Sequence, residues 1–497
     1  MGKKWARLML PAMIVLLLTG CLFRTPDELY KKPEKSAGYD RLVSAIQLVR
    51  LQLTAENGVA VEDAVIVSGD NTATIQLQNL DGDPAGERES AVVFLRVPGV
   101  ERSLKIIVFT RSGEDYQVSG IVEGDGTAIY SVDYVDLNGV GSKELVVNWQ
   151  VSTGVYQLGA YTLDEVTVSA VVDGNSGGGS SAGAGVDRSS LLATQLLWTD
   201  CSAATEGPTN YSSGYRLLDI DQDTRTEIAV VRIDPAGVGS QVEVYGWNDG
   251  KVESLGSAGL SSGAVTLNRV RSNYLSGEYY PPAIYLSCTL VDGTRAIEVF
   301  AYQEVEKDQP WQLVNLSIDP ETGISRNCLK DYTEVNPTDI NGDVVLELPA
   351  PQPVIAPGGT GAAFWLIDWY QYGADGGRQQ VMTTYHNVQD GWYLKIPDSW
   401  KGKIAISRND SVNGQRQVVF SYLNETDEAP TPFLSIYRLT GSNRASRAEE
   451  TGRFTLREEG EVIYAARFYE GDWNCGLDEN DLLTNNFQTI QTNWYGW

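Results

Sequence analysis

Short runs in which apolar and polar residues alternate recur along most of the chain. The segments VEVYGW (242–247), AIEVFAY (296–302), LVVNWQV (145–151) and YQLGAYTL (156–163) alternate in this way or gather aromatic and β-branched residues. A period of two residues places one face of a strand in a core and the other in water. We therefore predict a mainly β protein built from many short strands.

Helical periodicity is confined to the two ends. Near the start, the segment YDRLVSAIQLVRLQL carries apolar residues at helical spacing on one face, namely Leu42, Ala45, Ile46, Val49 and Leu53. This pattern predicts a helix that packs on the first group of strands. At the other end, Leu483, Phe487 and Ile490 predict a closing amphipathic helix.

Four acidic loops punctuate the strand pattern. They follow a pattern with an acid or amide at positions 1, 3 and 5 and an acid at position 9, from which only position 5 of the second loop departs: NLDGDPAGE (79–87), DLNGVGSKE (136–144), DIDQDTRTE (219–227) and DINGDVVLE (339–347). An apolar run follows each loop: AVVFLRV, LVVNW, IAVVRI or the shorter LELP. The recurrence predicts a repeated structural unit.

The spacing of the loops indicates the size of that unit. Their starts lie 57, 83 and 120 residues apart, and the last interval is close to two units. A degenerate copy is expected near residue 275, where 273–288 read as a strand pair that has lost its acidic loop. The interval of 83 residues holds GNSGGGSSAGAG (174–185), which predicts a flexible insertion. Units of about 57 residues with several strands have the size of propeller blades.

The loops resemble those of FG-GAP or VCBS repeats, the calcium-loop blades of integrin-like β-propellers and of many bacterial surface proteins. DIDQDTRTEIAVV and DINGDVVLEL match the family pattern best, and the resemblance covers roughly residues 60–390. It implies a β-propeller of about six or seven degenerate blades. Val140 stands where the family has an acid, and the first loop holds two extra residues before its strand, so both loops depart from the pattern.

The oxygen-rich loops are predicted to bind structural Ca²⁺, which takes six to eight hard oxygen ligands. The predicted ligands of the best site are the side chains of Asp219, Asp221, Asp223 and Glu227 with the carbonyl of Arg225. Those of the second are Asp339, Asn341, Asp343 and Glu347 with the carbonyl of Val345. Weaker sites are predicted at Asn79, Asp81, Asp83 and Glu87, and at Asp136, Asn138 and Glu144.

Acidic loops of this kind have two other possible interpretations. An EF-hand needs an acid at position 12, where the three later loops have Val147, Val230 and Ala350, so that motif is excluded. Solvated acidic turns that bind no ion are the remaining alternative.

The first 20 residues predict a bacterial export signal. Lys3, Lys4 and Arg7 precede an apolar run that is too short to span a bilayer, and Leu18 to Cys21 resemble a lipobox. The resemblance implies cleavage before Cys21, its acylation, and attachment to the outer face of the bacterial cell membrane. Residues 21–38 are predicted to be a tether. The alternative is an ordinary cleaved signal followed by a chance cysteine.

Charge and rare residues limit the chemistry. Removing residues 1–20 leaves 35 basic and 65 acidic residues, a net charge of −30, which argues against a nucleic-acid partner. Two disulfides among Cys201, Cys288, Cys328 and Cys475 are possible in three connectivities, and their wide spacing argues against a zinc cluster. A Ser-His-Asp site would need His386, the single histidine, for which an ordinary structural position is the favoured interpretation.

From Gly391 onward no acidic loop precedes the strands. We predict that residues 39–390 form the N-terminal helix and the propeller, and that 391–497 form a separate α+β domain. The segment GWYLKIPDSWKGK resembles the opening of PsbP-like domains, which implies a binding or assembly role. The tryptophans of this region are expected mostly in a core, with sugar or peptide platforms as the alternative use.

Three functions follow from these features. The leading prediction is a membrane-anchored, non-enzymatic scaffold or binding lipoprotein with an unknown protein or glycan ligand. The alternative is an extracellular carbohydrate-active enzyme, a glycosidase or lyase that uses carboxylates and tyrosines. A solute-capturing lipoprotein for a transporter is the third.

Overall fold

The computed structural model describes residues 37–82, 90–163, 191–206, 213–304, 310–330, 332, 334–355, 363–424 and 429–491. The predicted export signal, Cys21, nearly all of the tether and the Gly/Ser stretch 174–185 lie outside the described residues. Within the described ranges, none of the helices has the combination of length and hydropathy that crossing a bilayer requires.

The described chain is mainly β, with six antiparallel sheets of four or five strands that follow one another in sequence. Sheet 1 contains β1 (Glu62–Asp63), β2 (Ile75–Gln78), β3 (Ser90–Arg96), β4 (Leu104–Ser112) and β5 (Asp115–Gly124). Sheet 2 contains β6 (Ala128–Val135), β7 (Glu144–Ser152), β8 (Val155–Thr162) and β9 (Thr194–Cys201). Sheet 3 contains β10 (Tyr215–Leu218), β11 (Glu227–Arg232), β12 (Gln241–Asn248) and β13 (Lys251–Gly259).

The second half of the chain continues the same order. Sheet 4 contains β14 (Ala264–Tyr274), β15 (Pro282–Leu290), β16 (Arg295–Gln303), β17 (Gln312–Asn315) and β20 (Cys328–Leu329), and a small pair is formed by β18 (Ile318–Asp319) and β19 (Ile324–Ser325). Sheet 5 contains β21 (Leu348–Val354), β22 (Phe364–Tyr372), β23 (Arg378–Asn387), β24 (Trp392–Lys395) and β30 (Phe487–Thr489). Sheet 6 contains β25 (Ile404–Asn409), β26 (Gln415–Tyr422), β27 (Thr431–Thr440), β28 (Phe454–Glu459) and β29 (Val462–Phe468).

Few helices accompany the sheets in the described ranges. They are α1 (Ala37–Asn57), α2 (Arg444–Ala448) and α3 (Glu479–Asp481), with 3₁₀ turns at Val388–Asp390 and Asp398–Trp400 and a π turn at Leu482–Asn486. As predicted, α1 buries Leu42, Ile46 and Leu53 against sheet 1. Short hairpins connect many strands, and the turn between β12 and β13 uses Asp249 and Gly250, both at positive φ. Asp-Gly suits such a turn because both central residues must adopt the left-handed conformation.

Each sheet packs face to face with the next one along the chain. The shared clusters contain, for successive sheets, Phe94 with Trp149, Leu158 with Val230, Val244 with Leu286, Tyr285 with Tyr372, and Trp392 with Phe420. Strands buried on both faces need apolar residues at consecutive positions. In β7, Val146 accordingly faces sheet 3 whereas Val147 faces sheet 1.

The ends of this series are covered by helices. Helix α1 covers the face of sheet 1 that points away from sheet 2, and α2 contributes Ala448 to a cluster on the outer face of sheet 6. Among the described residues, no cluster of buried side chains contains members of both sheet 1 and sheet 6. A closed propeller ring is therefore not shown by the described part of the chain.

The C-terminal region differs from the separate α+β domain that was predicted. Strand β24 pairs with β23 and β30 pairs with β24, so sheet 5 continues across residues 390 and 391. The predicted closing helix was wrong, because Phe487 lies in β30 and only a short helical stretch precedes it. The backbone N–H and C=O groups of β30 form hydrogen bonds with the free edge of β24. The periodicity of side chains along the sequence does not show such a pairing. Trp392 and Trp400 pack in the core.

Candidate calcium loops

Each of the three fully described acidic loops leads directly into a strand, and two of them lie between the first and second strands of their sheet. The loop 136–144 joins β6 to β7, and the loop 219–227 joins β10 to β11. Ahead of β21, the loop 339–347 is closed by a bridge between Thr338 and Glu347. Within 273–288, where a degenerate copy was predicted, residues 275–281 connect β14 to β15. The sequence repeat therefore corresponds to the same strand connection in sheets 2 and 3, and to a related position before β21 in sheet 5.

One hydrogen bond recurs at the base of the three fully described loops. The backbone N–H of position 2 donates to the carboxylate of the glutamate at position 9. The pairs are Leu137 with Glu144 (2.8 Å), Ile220 with Glu227 (2.9 Å) and Ile340 with Glu347 (2.9 Å). These glutamates are buried at the start of their strands, or just before β21 in the case of Glu347. Each loop is thus tied to its sheet by a carboxylate that also points into the loop.

A second hydrogen bond folds the loop around position 1. The N–H of position 6 donates to the aspartate at position 1, in the pairs Gly141 with Asp136 (2.8 Å), Thr224 with Asp219 (3.0 Å) and Val344 with Asp339 (2.9 Å). Positions 4 and 6 have positive φ in all three loops. Glycine fills both positions only in the loop 136–144, so the other two loops adopt the same path at a conformational cost.

The loop 219–227 brings three carboxylates together. One oxygen each from Asp219, Asp221 and Glu227 lies within 4.8 Å of the others. Among the described residues, Asp219 Oδ1 is buried and has no hydrogen-bond partner. Asp223, the fourth predicted carboxylate, instead pairs with Arg225, with 2.7 Å between its Oδ2 and Nη2 of the arginine. A divalent cation fits this arrangement, because it would neutralise the clustered charge and occupy the unused lone pairs.

The protonation behaviour of the loop reflects this crowding. Burial, followed by the charges of Asp221, Asp223 and Asp219, raises the pKa of Glu227 to about 8. Burial and the neighbouring Asp223 also raise the pKa of Asp221 above its usual range. Both pKa values rise because it costs free energy to hold several ionised carboxylates close together in a partly buried site.

The loop 339–347 satisfies its carboxylates differently. The Gln371 amide, from β22, donates to Asp343 (2.8 Å) and to Glu347 (2.9 Å), and Asn341 also donates to Asp343 (2.9 Å). Burial raises the pKa of Glu347 to about 7. A cation at this loop would require the Gln371 amide to turn its oxygen inward. The amide protons take the place that a cation would need, so this loop fits a metal less well than 219–227 does.

The two remaining loops also differ from the best one. In the loop 136–144, the Asn138 side chain donates to Glu144 Oε1 (2.7 Å), so an amide again satisfies the glutamate. Asn79 and Asp81 are described, and the N–H of Lys143 donates to the Leu80 carbonyl, which places the first two loops side by side (2.8 Å). Asp83 and Glu87 lie outside the described residues.

Two participants in these sites were missed from the sequence. Gln371 lies on another strand, and no spacing rule connects it to the loop 339–347. The guanidinium of Arg225, predicted only as a carbonyl ligand, also donates to the Trp247 carbonyl (3.2 Å). An arginine among clustered aspartates was a visible signal that one carboxylate would be paired.

The cysteines and the histidine are structural in character. Cys201, Cys288, Cys328 and Cys475 are free thiols. Burial raises the pKa of Cys201 to about 12, so this thiol remains protonated at neutral pH. His386 is buried, with Nδ1 3.0 Å from Thr384 Oγ1 and its ring stacked on Tyr393.

Comparison with known proteins adds little to this geometry. The chain matches no protein-family model and no curated protein. It is similar to the exotype rhamnogalacturonan lyase YesX, with 11% identity, a TM-score of 0.26, and coverage of 73% of this chain and 70% of that one. It is also similar to Sqt1 from Chaetomium thermophilum, with 10% identity, a TM-score of 0.28, and coverage of 83% and 100%. At these TM-scores the likeness carries no argument about fold or activity.

Proposed function

We propose that this protein is a lipid-anchored, extracytoplasmic bacterial lipoprotein that acts as a calcium-stabilised binding or scaffold protein and is not an enzyme. The observation that carries the calcium assignment is the convergence of Asp219, Asp221 and Glu227 around the unpartnered Asp219 Oδ1. These carboxylates, with the Arg225 carbonyl, would hold the cation. The ion would draw together carboxylates that otherwise repel one another, and it would stabilise the turn between β10 and β11.

The arrangement of the sheets supports the rest of the proposal. Sheets 1 to 6 are antiparallel units that stack in chain order, and loops of one design lead into β7, β11 and β21. We propose that they are blades of a propeller-like body. Adjacent acidic loops then form one rim, and the opposite connections remain available to a protein or glycan ligand. The lipobox-like sequence before Cys21 supports the membrane anchor.

Thermal unfolding of the chain produced from residue 22 tests the calcium assignment. With a dissociation constant of about 0.1 mM, about 2 mM Ca²⁺ should stabilise the protein by about 2 kcal/mol relative to chelator. Asp221→Asn should abolish most of this gain. The substitution preserves the loop path, because asparagine already stands at the equivalent positions 138 and 341.

A matched charge control completes this experiment. Asp249→Asn removes one carboxylate from a hairpin turn elsewhere in sheet 3 and should keep the full calcium response. The salt concentration is balanced with NaCl so that screening is equal in all samples. An unchanged melting temperature with Ca²⁺, or an equal loss of response in both variants, would mean that the loops are acidic turns.

The alternative proposal, a carbohydrate-active enzyme, requires a pair of carboxylates or a tyrosine placed for acid and base chemistry. Turnover screens on cell-wall and plant polysaccharides distinguish the two. Hydrolysis or elimination that disappears on substitution of one carboxylate outside the acidic loops would replace the scaffold proposal.

A further inference from the structure

Two nearly buried arginines lie on one face of β14, the first strand of sheet 4. Arg269 is 5% exposed and Arg271 is 9% exposed. Across the strand pair, Arg269 lies opposite Ser287 and Arg271 opposite Tyr285 of β15. Residues directly opposite in an antiparallel pair project from the same face. The guanidinium groups and the Ser287 hydroxyl are therefore attached to one small area of sheet 4.

Several hydrogen-bond donors in this area have no acceptor among the described residues. Nε and Nη1 of Arg271 are buried without a partner, and so is the hydroxyl of the fully buried Ser287. Leaving a buried polar group unsatisfied costs free energy, and the cost is greater for a charged group. Arg271 as a residue keeps 9% of its surface exposed, whereas its unpartnered Nε and Nη1 atoms are themselves buried, so a ligand would reach them through a small local opening.

Three arginines lie close together here although the whole protein is strongly acidic, and carboxylates are also near: Asp133 acts on Arg216, and Glu347 acts on Tyr285 opposite Arg271. Arg216, from β10, donates to the Val270 carbonyl between the two arginines. Burial lowers the pKa of Arg216 to about 10; the charge of Arg271 contributes to this lowering, and Tyr215 and Asp133 oppose it. Burial and the neighbouring Arg269 lower the pKa of Arg271. Three guanidinium groups thus lie near each other in a protein whose net charge is −27.

We propose that Arg271, together with Arg269 and Ser287, forms a binding site for an oxyanion, the carboxylate or phosphate group of a small ligand. The unpartnered groups of Arg271 and Ser287 can all donate hydrogen bonds, so they would be satisfied by a ligand with several hydrogen-bond acceptors. A guanidinium group presents two parallel N–H donors that match a carboxylate or a phosphate. None of these three residues is among the predicted calcium ligands, although Tyr285, opposite Arg271, lies within electrostatic reach of Glu347 in the loop 339–347.

Thermal unfolding with anions tests this site. The chain produced from residue 22 is melted without added calcium, because phosphate precipitates that ion. About 20 mM phosphate or galacturonate, at constant ionic strength, should raise the melting temperature by about 2 °C, and galactose, the neutral match, should not. If just one of the two anions raises the melting temperature, that anion shows whether the site prefers a phosphate group or a sugar carboxylate.

Two variants and one control distinguish binding from a structural role. Arg271→Gln should lose the anion response and should melt no lower than the original protein in anion-free buffer, because an unsatisfied buried cation has been removed. Arg271→Lys keeps the charge but not the paired donors and should respond more weakly. Arg444→Gln, which breaks a surface pair with Glu461, should keep the full response.

Two results would overturn the proposal. One is a melting temperature that no anion changes, or that changes equally in the Arg271→Gln protein, which would mean that water alone occupies the area. The other is a lower melting temperature of Arg271→Gln in anion-free buffer, which would show that the arginine is paired within the protein itself.

Discussion

At the scale of single residues, His386 shows how packing sets chemistry. The imidazole lies between Trp369 and Tyr393, at ring distances of 5.4 Å and 4.9 Å, and bonds only Thr384 among the described side chains. Burial lowers its pKa to about 3 from an ordinary value of 6.5. A histidine held neutral by aromatic neighbours and a threonine is part of the core of sheet 5 rather than a general base.

Acid should therefore destabilise the protein through His386. The unfolded chain takes up a proton on this residue below pH 6.5 and the folded chain does not, so stability falls as pH decreases from there toward about 3. Between about pH 7.5 and pH 5 the loss is about 2 kcal/mol. Urea unfolding of the original protein and of His386→Gln at both values isolates this contribution. The stability difference should shift by that amount in favour of the variant, and a pH-independent difference would contradict the assignment.

At the scale of elements, the acidic loop is the unit that recurs. Its path is kept by two backbone-to-carboxylate hydrogen bonds even where side chains resist it. Val344, at position 6 of the loop 339–347, has φ of 71° and is 57% exposed. A β-branched residue is strained in this conformation, and Val344 gains little from packing in return. Gly342, two residues earlier, has φ of 83° without strain.

This pair of positions gives a prediction with its own control. Val344→Gly should stabilise the protein by about 0.5 to 1 kcal/mol, because relief of the strain exceeds the extra entropy of the unfolded glycine. Gly342→Ala should destabilise it by about 1 kcal/mol, although a Cβ there would meet no atom within 4 Å. Chemical denaturation in chelator measures both changes. Destabilisation by Val344→Gly would show that the valine makes a contact worth more than the strain.

At the scale of the whole molecule, charge is the dominant property. Residues 21–497 carry a net charge of −30, and such self-repulsion disfavours a compact state. Raising NaCl from about 20 mM to 300 mM in chelator should therefore raise the melting temperature, since screening acts at about 10 Å or less over most of this range. Scanning calorimetry would measure the rise. A fall would mean that favourable pairs such as Lys105 with Glu123, 2.7 Å apart, outweigh the repulsion.

The sequence by itself determined the local features of this protein. Alternation and runs of β-branched residues predicted the strands β7, β8, β12 and β16, and the apolar stripe of 42–53 predicted α1. The loop spacing also predicted a degenerate unit near residue 275, where β14 and β15 pair. These predictions are correct because each depends on residues that are close along the chain, where periodicity and turn-forming residues determine local structure.

The tertiary structure decided everything that joins distant segments. It placed β30 on the edge of β24 instead of in a helix, carried sheet 5 across the predicted domain boundary, and brought Gln371 to the loop 339–347. It also gathered Arg216, Arg269 and Arg271 from two sheets. Strand pairing and the burial of side chains from distant segments depend on which surfaces pack together in the fold. A single sequence holds no local signal for such packing.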